Sequence, residues 1–322
     1  LAVAPCDGYA RPHCVMFAES QSPSLSRLSL RNSPDWNLHF SGCDGVHVHH
    51  LNVSNPAAEP NADGIDVDSS TDVLVEDCHL SVGDDALCVK SGIDYFGRRA
   101  HWPARNILFR RNTIGAGHGI TVGSETSGGV SNVTFEDITM EHTGTGIRMK
   151  SQRGRGGVVS GVTYRRVEMK AIDGQCVQLT LNYHPGLPPT NASATPAFRD
   201  IALQDVSCAR GGAQFFIDGL PEAHILNLSL RNVTMGPAVG NTSTCDNADC
   251  ECDALTAPCP SCCRQSAAAP KPPAEPPFPS PSPVFPTAWF GANPRAFEYQ
   301  DPATLKAMSG YRAIFMSWAE MM

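Results

Sequence analysis

Six ionisable side chains stand out by type and local setting: Asp63 in NADGIDVDS, the pair Asp84 and Asp85 in GDDALCVKS, His118 in GHGITVGS, and Arg148 and Lys150 in GTGIRMKS. An isolated acid or base on a strand face is usually plain surface. Convergence changes that, because carboxylates held within about 5 to 10 Å repel one another and at least one is driven to hold a proton. A protonated acid beside ionised bases suits cleavage of a glycosidic bond. One carboxyl protonates the leaving oxygen and another activates water from the opposite face.

The elements that must bring these residues together form an internal repeat. Apolar side chains recur at offsets 0, 2, 5 and 7, as Val46, Val48, Leu51, Val53 and again as Val73, Val75, Cys78, Leu80. Five further copies begin at Ile107, Val133, Val162, Ile201 and Leu228, and the copy at Ile107 places Asn112 at the third apolar position. An offset of two marks one face of a strand, and the jump of three marks a bend into a second strand. A third short strand follows most copies: GIDVDS, ALCVKS, GITVGS, GIRMKS and CVQLTL. Three strands per turn with polar turns between them predict an all-β fold, a right-handed parallel β-helix, rather than a two-sheet sandwich.

In such a solenoid, successive coils lie about 4.8 Å apart, so Asp63, the Asp84-Asp85 pair and His118 fall on three neighbouring rungs, with Arg148 and Lys150 on the fourth. Ile65, Leu87, Ile120 and Ile147 stack inside, as do Val67, Val89, Val122 and Met149. Asp63, Asp85, His118 and Thr145 each precede the first inward residue by two. Strict alternation would bury them, so the strand must kink there, which Gly64, Gly83, Gly117 and Gly119 permit. Arg148 and Lys150 have outward parity and share a face.

At 322 residues and 41% hydrophobic, the chain has enough apolar side chains for a substantial core, while 17% charged residues with 28 Gly and 26 Pro indicate many turns and few surface helices. A formal charge of -8 disfavours a nucleic-acid partner, and no apolar run is long enough to span a bilayer. Thirteen cysteines and six Asn-x-Ser/Thr sequons, at Asn52, Asn132, Asn191, Asn227, Asn232 and Asn241, point to a secreted protein; some of these asparagines instead serve turn geometry. Cys245, Cys250, Cys252, Cys259, Cys262 and Cys263 crowd one stretch, which suits a disulfide knot more than a zinc cluster, since no His lies among them. The expected organisation is a catalytic β-helix over 1–240, a Cys-rich then Pro-rich linker over 241–286, and the truncated start of a further domain over 287–322. Coils preceding residue 1 are also expected.

Taken together, Asn61-Ala62-Asp63, Gly83-Asp84-Asp85, Gly117-His118-Gly119 and Arg148-Met149-Lys150 resemble, in order, the four signatures of glycoside hydrolase family 28, the polygalacturonases. The resemblance covers roughly residues 11–236. It implies an inverting hydrolase of α-1,4 bonds in polygalacturonate, with Asp84 as general acid, Asp63 and Asp85 holding and deprotonating the attacking water, and His118 tuning the acid. Arg148 and Lys150 would bind a galacturonate carboxylate, Asn61 would support the site, and Tyr183 would flank the substrate. The resemblance implies neither cofactor nor metal, a polysaccharide as the partner, and a monomer. Ala62 and Met149 replace the family's usual Thr and Ile at positions that do not react. Arg98, Arg99 and His101, in a connection longer than the family's usual one, and Arg153 and Arg155 could wall a subsite. Related pectins such as rhamnogalacturonan or xylogalacturonan, and a non-catalytic polysaccharide-binding β-helix, are the alternatives.

Overall fold

A computed structural model describes residues 11–185, 194–240, 242–266 and 314–315. The Pro-rich stretch after 266, the region 287–322 apart from the backbone of Ile314–Phe315, and the sequons at Asn191 and Asn241 lie outside the described residues. Within them the chain is a right-handed parallel β-helix. One sheet stacks Val15–Ala18, Leu38–Ser41, Ile65–Asp68, Asp85–Lys90, His118–Gly123, Thr145–Lys150, Ile172–Thr180, Gly211–Asp218 and Thr244–Asp246, all parallel to one another, with Ile314–Phe315 antiparallel beside Val15–Ala18. The second sheet begins at Ser24–Ser26 and runs through Thr71–Glu76, Ala104–Arg110, Val130–Met140 and Val158–Met169 to Ala248–Asp253 and Cys263–Ser266.

The repeat maps directly onto the core. Val46, Val73, Ile107, Val133, Val162, Ile201 and Leu228 are all buried, and each pairs with its counterpart in the next coil, as Ile107 does with Val73 and Val133. Phe109, Phe135 and Tyr164 form an internal stack with ring centroids 4.8 and 5.1 Å apart. Such a column arises because parallel pairing in register places like residues one rung apart, at a separation that suits offset aromatic packing.

Two columns of left-handed residues make the bends. Asp72, Asn106, Asn132, Gly161, Asp200 and Asn227, each just before the first apolar position, all have φ between 52° and 65°. Asp77, Arg111, Asp137, Arg166, Asp205 and Asn232, four residues after that position, have φ between 51° and 55°. Asn and Asp tolerate this conformation best among residues with a Cβ, and their short side chains bond along the column. Asn132 donates to Asn106, Asn227 to Asp200 and Asn232 to Asp205. Three sequon asparagines therefore serve the turns. In early coils the two halves of the repeat are separate strands, such as Thr71–Glu76 and His79–Ser81, whereas from Val130–Met140 onward they merge into one bent strand. Buried Asn112 keeps its apolar slot by donating to the Val75 carbonyl and accepting from the Cys78 amide.

The cysteine-rich segment adds further rungs to the same stack. Cys245 bonds to Cys262, Cys250 to Cys263 and Cys252 to Cys259, while Cys176–Cys208 links two earlier coils. No helix among the described residues is long and apolar enough to cross a membrane.

Candidate active site

Register fixes the site. Asp85 pairs with His118 and His118 with Thr145, while Leu87 pairs with Ile65, so Asp63 stands level with Asp85 one coil earlier. The approach is tight: a Cβ on Gly64 would lie 2.3 Å from the Ala86 carbonyl oxygen, so only glycine fits there. Gly64 donates its amide to the Asp85 carbonyl at 2.8 Å, and Asn37 donates both its backbone and side-chain nitrogens to the Asp63 carbonyl. His118 is tied to the acid pair through its amide, which donates to the Asp84 carbonyl at 2.8 Å. Gly117, at φ +106°, lies so close to that carbonyl that a Cβ would come within 2.5 Å of it. The result is that one oxygen from each of Asp63, Asp84 and Asp85 lies within 4.8 Å of the others.

The three carboxyls differ sharply in surroundings. Asp85 is buried, with Lys150 Nζ 2.8 Å and Arg148 Nη1 3.1 Å from its two oxygens and the Thr121 hydroxyl donating at 2.9 Å. Burial alone would raise its pKa, but the charges of Lys150, Arg148 and Lys90 prevail and hold it well below the usual carboxylate range. Asp63 is also buried, and there burial prevails over the opposing charge of Lys90, pushing its pKa up to about 8. Asp84 is the half-buried member, and one of its oxygens accepts the Asp85 amide at 2.9 Å. The trio thus contains an ionised carboxylate, a carboxyl that retains its proton at neutral pH, and one partly open to solvent. Carboxylates this close could bridge a cation, but Lys90, Arg148 and Lys150 already supply positive charge at the same place.

His118 is half-buried; burial and then Arg148 lower its pKa, which favours the neutral ring, and its Nδ1 makes no hydrogen bond among the described residues. Tyr183 joins the site, its hydroxyl 3.3 Å from Arg148 Nη2 and its ring 5.1 Å from Lys150 Nζ. Asn61 does not join it: exposed on the approach to Asp63, its side-chain oxygen accepts from Arg11 at 2.8 Å. Arg148 and Lys150, expected to face a ligand carboxylate, are only 7% and 6% exposed, and both are engaged by Asp85.

The long connection contains the helix Asp94–Ala100, clamped by Arg155 to Asp94 at 2.8 Å and by Arg98 to the Gly154 carbonyl. Arg98 and Arg155 therefore hold this helix in place, Arg99 bonds Tyr95, and Arg153 pairs with Glu222. His101 terminates the helix in a left-handed conformation. Sequence reasoning missed Gln178, which accepts from Arg148 Nε at 2.9 Å, along with Thr121, Lys90, Asp66 and Glu125. For three of them the column was readable in the sequence, though not the burial. Thr121 and Asp66 share the register column of Arg148, and Lys90 extends the outward parity that singled out Lys150.

A family model described as glycosyl hydrolases family 28 matches residues 4–259. The chain belongs to that family. This glycosyl hydrolase family 28 chain is 32% identical over 232 residues to a probable polygalacturonase of Vitis vinifera, covering 70% of this chain and 47% of that protein. It is 32% identical over 224 residues to an endo-polygalacturonase of Pectobacterium carotovorum subsp. carotovorum, covering 70% and 52%. The crystal structure of a hyperthermoactive exopolygalacturonase from Thermotoga maritima superposes with a TM-score of 0.71 at 25% identity, covering 78% of this chain and 55% of that one. The chain spans about half the length of the curated relatives it matches.

Proposed function

We propose that this chain carries the catalytic coils of a secreted, monomeric glycosidase that hydrolyses α-1,4 bonds between galacturonate units of pectin, with inversion. The observation that carries the reading is the convergence of Asp63, Asp84 and Asp85 beside Arg148 and Lys150 on adjacent rungs. Asp84, the carboxyl with solvent access, protonates the glycosidic oxygen as the bond to the anomeric carbon breaks. A water held between Asp63 and Asp85 attacks that carbon. Asp85, ionised, accepts the water's proton, while Asp63 orients the water. His118, next to Asp84 through the backbone, tunes the acid.

Inversion is favoured over a covalent intermediate by how deeply Asp63 and Asp85 are buried. Two hydrogen bonds of about 2.7 to 2.8 Å can place one water between oxygens up to 4.8 Å apart. Inverting pairs usually stand about 6.5 to 9.5 Å apart, so spacing alone would suit a nucleophile. However, Asp63 and Asp85 are only 3% and 1% exposed, too deep for a sugar carbon to approach either oxygen directly, whereas a water is small enough to lie between them. Tyr183, with Arg148 and Lys150 behind it, supplies the positive and aromatic flank for a galacturonate unit. The relatives' names support this substrate class.

A non-catalytic binding module would have no use for a buried acid trio, since carboxylates hinder capture of a polyanion. Reducing-end release from polygalacturonate, with proton NMR of the first-formed anomer, tests the proposal. Asp84→Asn should cut the rate by about 10²- to 10⁴-fold, the usual contribution of a general acid. Equal rates for wild type and variant would remove Asp84 from that role, and a retained anomer would replace water attack with a nucleophile.

A further inference from the structure

Lys90 is almost wholly buried at the end of the strand Asp85–Lys90, behind the acid trio. Its Nζ lies 3.5 Å from Asp63 Oδ2, 3.5 Å from Asp66 Oδ1 and 3.3 Å from Glu125 Oε2, and 4.3 Å from the centroid of the Trp36 ring. Four elements therefore converge on one ammonium. Asp66 is completely buried, and its oxygens accept no hydrogen bond among the described residues, so this lysine is its nearest compensation. Lys90 itself is too buried to reach a sugar. Its charge also reaches Asp85, but its direct contact with the trio is through Asp63, the one of its three carboxylate partners that belongs to it.

Given the glycosidase reading above, we propose that Lys90 is a positioning residue for the reaction, a single buried cation shared by Asp63, Asp66 and Glu125 that holds the Asp63 carboxyl against Asp84 and Asp85. One ammonium cannot compensate two buried ionised aspartates together with a half-buried glutamate, so protons must be retained among them. Burial pushes Asp66 far up and Asp63 up to about 8, whereas the half-buried Glu125, under the charges of Lys90, Lys150 and Arg155, stays below its ordinary value. The retained protons therefore sit on the two aspartates. The charged and titratable groups facing Asp63 are Lys90, Asp85, Asp84, Lys150, Asp66 and the Cys88 thiol, which burial keeps protonated, and Lys90 is the strongest charge opposing its burial. Proton occupancy of Asp63 thus depends on a residue outside the recognised signatures.

The test uses the chain as it stands, with Lys90→Met, Lys90→Arg and Asp66→Asn. Carbon-13 carboxyl NMR should show the Asp63 titration moving upward by about one pH unit or more in Lys90→Met, with Lys90→Arg close to wild type. Asp66→Asn frees Lys90 for Asp63 and should move that titration downward. In kinetics, Lys90→Met should lower kcat at least about tenfold, because the Asp63 carboxyl is no longer held against Asp84 and Asp85. KM should stay within about twofold because Lys90 makes no substrate contact. The limb of the kcat/KM profile that belongs to Asp63 should shift in the same direction as the NMR titration. An Asp63 titration unmoved in both Lys90→Met and Asp66→Asn would overturn the proposal, as would a kcat loss in Lys90→Met with an unshifted profile and no recovery in Lys90→Arg. If wild type leaves polygalacturonate intact, the glycosidase reading fails while the NMR result still decides whether Lys90 controls Asp63.

Discussion

The outer faces of the two sheets both carry rows of acids and bases, yet they differ in almost every energetic respect. On the first sheet, Asp63, Asp85, Lys90, Arg148 and Lys150 are each at most 7% exposed, and their pairs lie 2.8 to 3.5 Å apart. On the second, Glu76 meets Arg110 at 2.8 Å and Arg111 at 2.6 Å, and Glu136 meets Arg165 at 2.5 Å and Arg166 at 3.1 Å. The distances are similar, but the Arg111 and Arg166 side chains are 45% and 48% exposed. Water screens one set and is withheld from the other, so the same contact means structural trim on one face and strong coupling on the other. One repeating scaffold can present both because register dictates only which residues meet, and the side chains above them decide how wet the meeting is.

The comparison breaks first, if it breaks, at Asp85. Asp85→Ala leaves Arg148 and Lys150 buried without their partner and should lower unfolding free energy by about 3–5 kcal/mol in urea titration. A loss under about 1 kcal/mol would mean that the first face is as well hydrated as the second. Arg166→Ala, on the wet face, should cost no more than about 1 kcal/mol, and high salt should erase most of the difference. The smallest expected effect is a pH dependence. His47, Arg110 and Arg111 outweigh the partial burial of Glu76 and lower its pKa from 4.5 to about 2. A depressed carboxylate stabilises fully above its unfolded pKa and loses that contribution as pH falls through the folded one. The stability gap between wild type and Glu76→Gln should therefore be complete above about pH 4.5 and close towards pH 2; a gap that persisted at pH 2 would point to packing instead of charge.

Much of the architecture was legible because coil stacking turns periodicity into contact. The 0, 2, 5, 7 spacing located the core, and aligning the third strands placed Asp85, His118 and Thr145 in one column, as their register pairs show. The position of the bends was implied by the jump of three, although not that a left-handed residue makes each one. Lys90, Asp66 and Glu125 were harder to see. Nothing in DVDS or CVKS marks a carboxylate or ammonium as buried, since outward parity normally means solvent, and here the connections above the sheet cover it. Asn61 shows the opposite case: it sits two residues before Asp63, and its exposed side chain accepts from Arg11. The disulfide pattern, too, depends on which strands of the last coils lie side by side.

That last region has a mechanical consequence. A stack in which each coil touches only its neighbours comes apart from its ends, because a terminal coil has a neighbour on one side only. The bonds Cys245–Cys262, Cys250–Cys263 and Cys252–Cys259 lie in the final described rungs of the solenoid. They act as stitches among these rungs: covalent links as well as hydrogen bonds hold the strands of 245–263 to one another, and a reducing agent would leave the hydrogen bonds alone to do so.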